Sequence, residues 1–169
     1  MYKDATVQRI KKELPFERTL VLVKPDGVQR GLIGKVISRF EDKGLQLVGL
    51  KMMNVSDAIV EAHYSHLKDR PFFKSLSNFM QSSPVIAMVW QGVEVISAVR
   101  LIAGVTNAGK AEAGSIRGDF GMTTSANIIH ASDSLENAKE EIVRFFDEHE
   151  LVDYDKTEFL HIYFPELNR

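Results

Sequence analysis

Thr19-Leu20-Val21-Leu22-Val23, followed at once by Lys24-Pro25-Asp26-Gly27, is the stretch that decides the fold. A run of β-prone residues stopped by proline and glycine has the pattern of a buried strand entering a turn, and it leaves Lys24 at the strand's end. Downstream, Leu32, Ile33, Val36, Ile37 and Phe40 recur at helical spacing, and Gly44 after Lys43 supplies a stop. Residues 45–53 return to a strand. Ser56 is a suitable N-cap for a helix carrying Ile59, Val60, His63, Tyr64 and Leu67, and Pro71 can open another through Phe72, Leu76 and Phe79. Residues 85–90 are again strand-like. A helix with Val95, Val99 and Ile102 follows, then a polar, glycine-bearing loop over 104–124, a short strand ending at His130, and a last helix with Ala138, Ile142 and Phe145 on one face.

The core of this series reads βαββαβ, which predicts an α+β chain: a ferredoxin-like sandwich with helices packed on one face of an antiparallel sheet. Residues 1–16 read as a small appended element compatible with a helix, and residues 17–169 as the domain itself. The loop over 104–124 is long for a compact domain, and long ordered loops are usually functional.

A chain of 169 residues is long enough to bury a core without covalent staples. Lys and Arg (21) nearly balance Asp and Glu (23), so the formal charge of -2 argues against a general polyanion binder, and any phosphate site must be a local cluster. The absence of cysteine removes disulfides, thiolate nucleophiles and cysteine-based zinc sites together. The first residues, MYKDATVQRIKKELPFE, lack the apolar core of a secretory signal, and no apolar run reaches membrane-spanning length. The expectation is a soluble cytoplasmic protein with no membrane partner.

The stretch Asn127-Ile128-Ile129-His130-Ala131-Ser132-Asp133-Ser134 delivers one histidine into a helix-capping signal, with Glu136 three residues after Asp133. The positive end of that helix would welcome a phosphate beside His130. Gly104-Val105-Thr106-Asn107-Ala108-Gly109-Lys110 has the spacing of a Walker A loop, but Ala111 replaces the magnesium-binding hydroxyl and the segment follows a helix rather than a strand, so the match is coincidental. His63 and His66, three apart on a helix, raise a metal site only weakly, since no carboxylate or third histidine is positioned by sequence; a surface or half-buried structural role is favoured. Arg100 can merely complement a helix dipole, and Arg117-Gly118-Asp119 can be a loop ion pair. Against those plain readings, Lys24, Arg100, Arg117 and His130 fall at strand ends, helix ends and loops, where α/β folds collect ligand groups; three cations and a nucleophile suit a polyphosphate.

The segments Glu17-Arg18-Thr19, Lys24-Pro25-Asp26-Gly27-Val28-Gln29-Arg30-Gly31, His63-Tyr64, Lys68-Asp69-Arg70-Pro71-Phe72-Phe73, Ile116-Arg117-Gly118-Asp119-Phe120 and Asn127-Ile128-Ile129-His130-Ala131-Ser132-Asp133-Ser134 together resemble nucleoside diphosphate kinases, in order and without an insertion over residues 17–154. The resemblance implies a ferredoxin-like fold and exchange of a γ-phosphate, typically from ATP, through a phosphohistidine. It makes His130 the nucleophile, phosphorylated on Nδ1, with Glu141 and Ser132 supporting the imidazole. It places Lys24, Tyr64, Arg100, Thr106 and Arg117 around the phosphates, Asn127 with Lys24 on the ribose 3′-hydroxyl, and Phe72 on the base. Mg2+ would arrive bound to the nucleotide, with no metal ligand from the protein. Nucleoside di- and triphosphates are the implied partners, and a homo-oligomer is implied, a hexamer favoured over a tetramer.

Asn107-Ala108 and Ala113-Gly114 stand where the family commonly has proline, which leaves the long loop more unfolded-state freedom and puts the assembly in question before the chemistry. Ala131 replaces a common glycine, a change expected to be tolerated. An RNA-binding ferredoxin-like module is the rival from another class; Arg117-Gly118-Asp119-Phe120-Gly121 faintly matches its basic motif, but Asp119 occupies an aromatic position and the net charge is negative, so nucleic acid is not indicated. A regulatory nucleotide-binding domain is a third reading, under which His130 is dispensable.

Overall fold

The computed structural model describes residues 2–163. Its sheet has strands β1 (Phe16–Val23), β2 (Gln46–Met53), β3 (Val85–Val93) and β4 (Ile129–Ala131) in the order β2-β3-β1-β4, every neighbouring pair antiparallel. The helices are α1 (Tyr2–Glu13), α2 (Pro25–Gln29), α3 (Ile33–Asp42), α4 (Asp57–His63), α5 (Phe73–Gln81), α6 (Val95–Ala103), α7 (Ile116–Phe120), α8 (Leu135–Phe145) and α9 (Phe159–Ile162). This is the βαββαβ frame of the ferredoxin-like sandwich.

Helices cover both faces of the sheet, not one. Val21 and Val23 of β1 join Ile86, Met88 and Trp90 of β3 beneath Val36 and Phe40 of α3 and Val95 and Val99 of α6. Leu20 and Leu22 point the other way, with Val85, Ala87 and Val89, into Val60, Met80, Ile142 and Phe145 of α4, α5 and α8. The physical reason lies in the opening run: Leu20-Val21-Leu22-Val23 is apolar on both faces of the strand and must be buried on both sides. Each such side chain removed from water contributes roughly 1.5–3 kcal/mol, so β1 and β3 anchor the domain.

Three local expectations differ from the structure. Lys24-Pro25-Asp26-Gly27 is the start of α2 rather than a plain turn, because Pro25 fits a first helical position that needs no N–H. The helix from Ser56 stops at His63, and Tyr64 caps it before a 3-10 turn at Ser65–Leu67. The stretch 104–124 contains α7, whose cap is Ser115 accepting from Gly118 N. Arg39 holds this segment to α3 by pairing with Asp119 and donating to Gly114 O at 2.6 Å.

Within the N-terminal stretch, α1 buries Val7 and Ile10 against Phe159, while Phe16 at the start of β1 packs ring to ring with Phe159 and Tyr163, all three at 5.1–5.3 Å. No helix of the described residues is long and apolar enough to cross a membrane.

Candidate functional site

The β1–β4 register pairs His130 with Leu22, so the imidazole emerges on the face that carries Leu20, Leu22, α4 and α8. It opens into a cavity of about 860 Å³, a volume suited to a small organic ligand. Lys24, Tyr64, Phe72, Arg100, Thr106, Arg117, Asn127, His130 and Glu141 all line it. Ser132 lies one step behind, buried, and reaches the cavity through Glu141. The structure thus brings together every residue singled out by the resemblance.

Glu141 Oε2 accepts from His130 Nε2 at 3.0 Å and from Ser132 Oγ at 2.6 Å. Burial would raise the Glu141 carboxyl, but the hydrogen bonds from His130 and Ser132 outweigh it and hold the group below its usual value. An ionised carboxylate can only accept, so His130 donates from Nε2, and in a neutral imidazole that tautomer leaves the lone pair on Nδ1. The helix start that precedes Glu141 is fixed by Ser134, whose Oγ accepts from Asn137 N at 3.1 Å.

Backbone geometry makes the approach to His130 rigid. Ile128 has φ 74, a left-handed conformation costly for a β-branched residue, of order 1–3 kcal/mol. Two bonds to the β1–α2 junction over-determine it: Ile128 N donates to Asp26 Oδ2 at 3.0 Å, and Lys24 N donates to Ile128 O at 2.8 Å. Gly27 lies under this contact, and a Cβ there would meet Val23 Cγ1 at 2.7 Å and Ile128 O at 3.1 Å.

The cations are held differently. Lys24 Nζ donates to Ser125 O at 2.8 Å, and burial pushes its ammonium down to about 8. Arg117 donates to Gly104 O at 2.7 Å and Ile129 O at 2.9 Å, spanning the long loop and the strand that carries His130; burial, with Arg100 nearby, pushes it down to about 10. Asp119 belongs to Arg39, so the suspected Arg117–Asp119 pair does not form. Arg100 is exposed at the cavity wall. Asn127 Nδ2 donates to Thr106 O at 2.7 Å, while its buried Oδ1 has no partner among the described residues and is an acceptor left for a ligand. Tyr64, raised by burial, stays a neutral phenol. Phe72, 51% exposed, presents a ring at the cavity. The Walker-like stretch follows α6 with Gly104 as its cap, and forms no phosphate cradle between a strand and a helix.

One residue escaped the sequence reading. His63, expected as a surface or half-buried structural residue, is 5% exposed and packs on His130 with ring centroids 4.4 Å apart. Its place beside Val60 on the apolar side of α4 signalled burial, but nothing local signalled the partner across the fold. His66, the other histidine of the suspected pair, does not join it; the histidine–carboxylate cluster is His63, His130 and Glu141.

The nucleoside diphosphate kinase family profile matches residues 17–151. The chain is 54% identical over 142 residues to the nucleoside diphosphate kinase of Carboxydothermus hydrogenoformans, covering 84% of this chain and 95% of that protein. To human nucleoside diphosphate kinase A it is 53% identical over 138 residues, 82% and 91% of the two chains. Its fold is similar to that of a halophilic nucleoside diphosphate kinase from Halobacterium salinarum in complex with CDP, with TM-score 0.86, 46% identity, and 88% and 99% of the chains covered. With this similarity spanning the sheet, the cavity and the histidine strand alike, the chain belongs to the nucleoside diphosphate kinase family and is an enzyme that moves a terminal phosphate between nucleoside tri- and diphosphates.

Proposed function

We propose that His130 is the phosphate carrier and that the exchange is ping-pong at one cavity. The observation that carries this reading is the Ser132–Glu141–His130 chain, which engages Nε2 and so leaves Nδ1 as the nucleophilic atom of the neutral imidazole. In the first half-reaction the Nδ1 lone pair forms a bond to the γ-phosphorus as the bond to the β–γ bridging oxygen breaks, and the nucleoside diphosphate leaves. In the second, a terminal oxygen of another diphosphate takes the phosphoryl group from Nδ1. Phosphoryl transfer has a loose transition state, so alignment and fixed charge do most of the work. Lys24, Arg100 and Arg117 supply that charge, with Tyr64 and Thr106 as neutral phosphate donors. Asn127 Oδ1 and Lys24 receive the ribose 3′-hydroxyl, and Phe72 stacks on the base.

Magnesium fits this cavity as part of the nucleotide. Glu141, the carboxylate nearest the nucleophile, is engaged by His130 and Ser132, and the phosphate end is cationic, so Mg2+ held by phosphate oxygens needs no protein ligand. When bound it neutralises phosphate charge.

A closed homo-oligomer, hexamer before tetramer, belongs to the same proposal and rests on the family resemblance and the long loop; light scattering tests it, and a monomer at micromolar concentration refutes it. A cytoplasmic location is likewise proposed, with cell fractionation as its check.

The central test is His130→Ala. We expect folded protein that binds ADP and forms no phosphoenzyme with γ-labelled ATP. An acid-labile, alkali-stable label retained on that variant would sink the assignment.

A further inference from the structure

We propose that His63 is a positioning residue for His130, itself pinned by Arg144, so that the nucleophile is clamped between a carboxylate on one side and a neutral imidazole on the other. The inference rests on His130 being the phosphate carrier.

Arg144 Nη1 lies 3.3 Å from His63 Nδ1. A guanidinium can only donate, so Nδ1 accepts, His63 is neutral, and its proton is on Nε2. That tautomer matters because His63 Nδ1 is also 3.9 Å from Glu141 Oε1. With Arg144 in place, His63 cannot donate to Glu141, whose carboxylate is left to His130 and Ser132. The rings of His63 and His130 meet in a T-shaped contact at 75° between planes, and Tyr64 and Phe145 wall His63 on other sides at 4.7 and 5.2 Å. The titratable and charged groups facing His63 are His130 from β4, Glu141 and Arg144 from α8, Tyr64 at the end of α4 and His66 from the turn after it. Burial pushes the His63 imidazole down to about 3, with Arg144 acting in the same direction and Glu141 against it, so it remains neutral through the working range. Its buried Nε2 has no hydrogen-bond partner among the described residues, and a group kept there at that cost is consistent with a role beyond filling space.

His63 therefore blocks rotation of the His130 ring away from Glu141 and keeps Nδ1 aimed into the cavity. Small misplacements of a reacting atom cost rate steeply, whereas nucleotide binding is carried by other residues. The experiment compares His63→Ala, His63→Phe and Arg144→Met by phosphoenzyme formation with ATP and by ADP titration, with 15N NMR of the histidine rings. We expect His63→Ala to form phosphoenzyme about tenfold more slowly or worse while its ADP Kd stays within about twofold. His63→Phe, which keeps a planar ring, should recover most of the rate. In the wild type, His63 should show the Nε2–H tautomer at neutral pH, and Arg144→Met should shift it toward Nδ1–H with a partial loss of rate. Wild-type rate in His63→Ala, a parallel loss of ADP binding, or no recovery in His63→Phe overturns the proposal. If His63→Ala does not fold, His63→Phe and Arg144→Met decide, and an unchanged tautomer with unchanged rate in the latter removes the pin. Label retained on His130→Ala would instead fail the carrier assignment and leave the clamp without an object.

Discussion

Replacing Lys24 with methionine should make the protein more stable and a worse enzyme, and both effects should fade as pH rises. Burial pushes the Lys24 ammonium from its usual 10.5 to about 8, which at 1.36 kcal/mol per pH unit disfavours the charged native state by about 3 kcal/mol at neutral pH. The sign follows from the direction of the shift: the native pKa lies below the unfolded one, so the penalty is complete below about 8 and is relieved as pH climbs from there toward 10.5. Lys24→Met removes the penalty and keeps most of the buried stem, so its Tm at pH 7 should exceed that of wild type by several degrees, at about 2–4 °C per kcal/mol for a chain of this size. Under the proposed function, bound phosphates repay the charge in the wild type. If only protonated Lys24 binds nucleotide well, the apparent ADP Kd rises about twofold at pH 8 and about elevenfold at pH 9, while Lys24→Met binds weakly with a flat profile. Calorimetric titration of ADP at intervals from pH 6.5 to 9.5, with thermal melts of the apoproteins alongside, measures both. Wild-type affinity that stays flat to pH 9.5, or a variant that melts lower than wild type at pH 7, refutes the reasoning.

Gly27→Ala should lose about 1–3 kcal/mol of stability through overpacking, because its Cβ meets Val23 and the Ile128 carbonyl; a melt within a degree of wild type would show that Ile128 yields easily. Acceptor breadth should be wide: Phe72 offers the base an aromatic face without a donor or acceptor, and stacking contributes roughly 1–3 kcal/mol with little selectivity. The kcat/KM values for GDP, UDP, CDP and dTDP should fall within about tenfold of one another, and a spread beyond about a thousandfold would mean that another group reads base edges.

Much of this was legible in the chain because it is written in local patterns. The β-prone run at 19–23, the helical spacing at 32–40 and the capping residues at 56 and 134 each act on their own neighbours, and the sheet follows from them. Even the two-sided burial is implicit in the consecutive apolar residues 20–23, although the element order by itself suggests helices on one face. What local pattern could not supply is distance across the fold. Periodicity alone fits Tyr64 and Phe72 to a core as readily as to a cavity, and it is the resemblance that assigns them to the site. His63 shows the same limit more sharply: it shares a face with Val60, but its neighbours of consequence, His130, Glu141 and Arg144, are brought to it by packing of α4 against α8. The short helix inside the 104–124 loop was hidden because a few residues carry too little periodicity to register, while the serine that caps it was in plain sight.

The contact between α1 and α9 bears on how the chain is handled. The family profile stops at residue 151, and a cut to that length from residue 17 looks safe on paper. Yet Phe16, Phe159 and Tyr163 share one aromatic cluster with Val7 and Ile10, drawn from opposite ends of the chain. Trimming one end strands the greasy partners of the other in water, turning a sealed seam into an adhesive patch. Solubility, rather than catalysis, is the property that such trimming puts at risk, and the two ends are best kept or removed together.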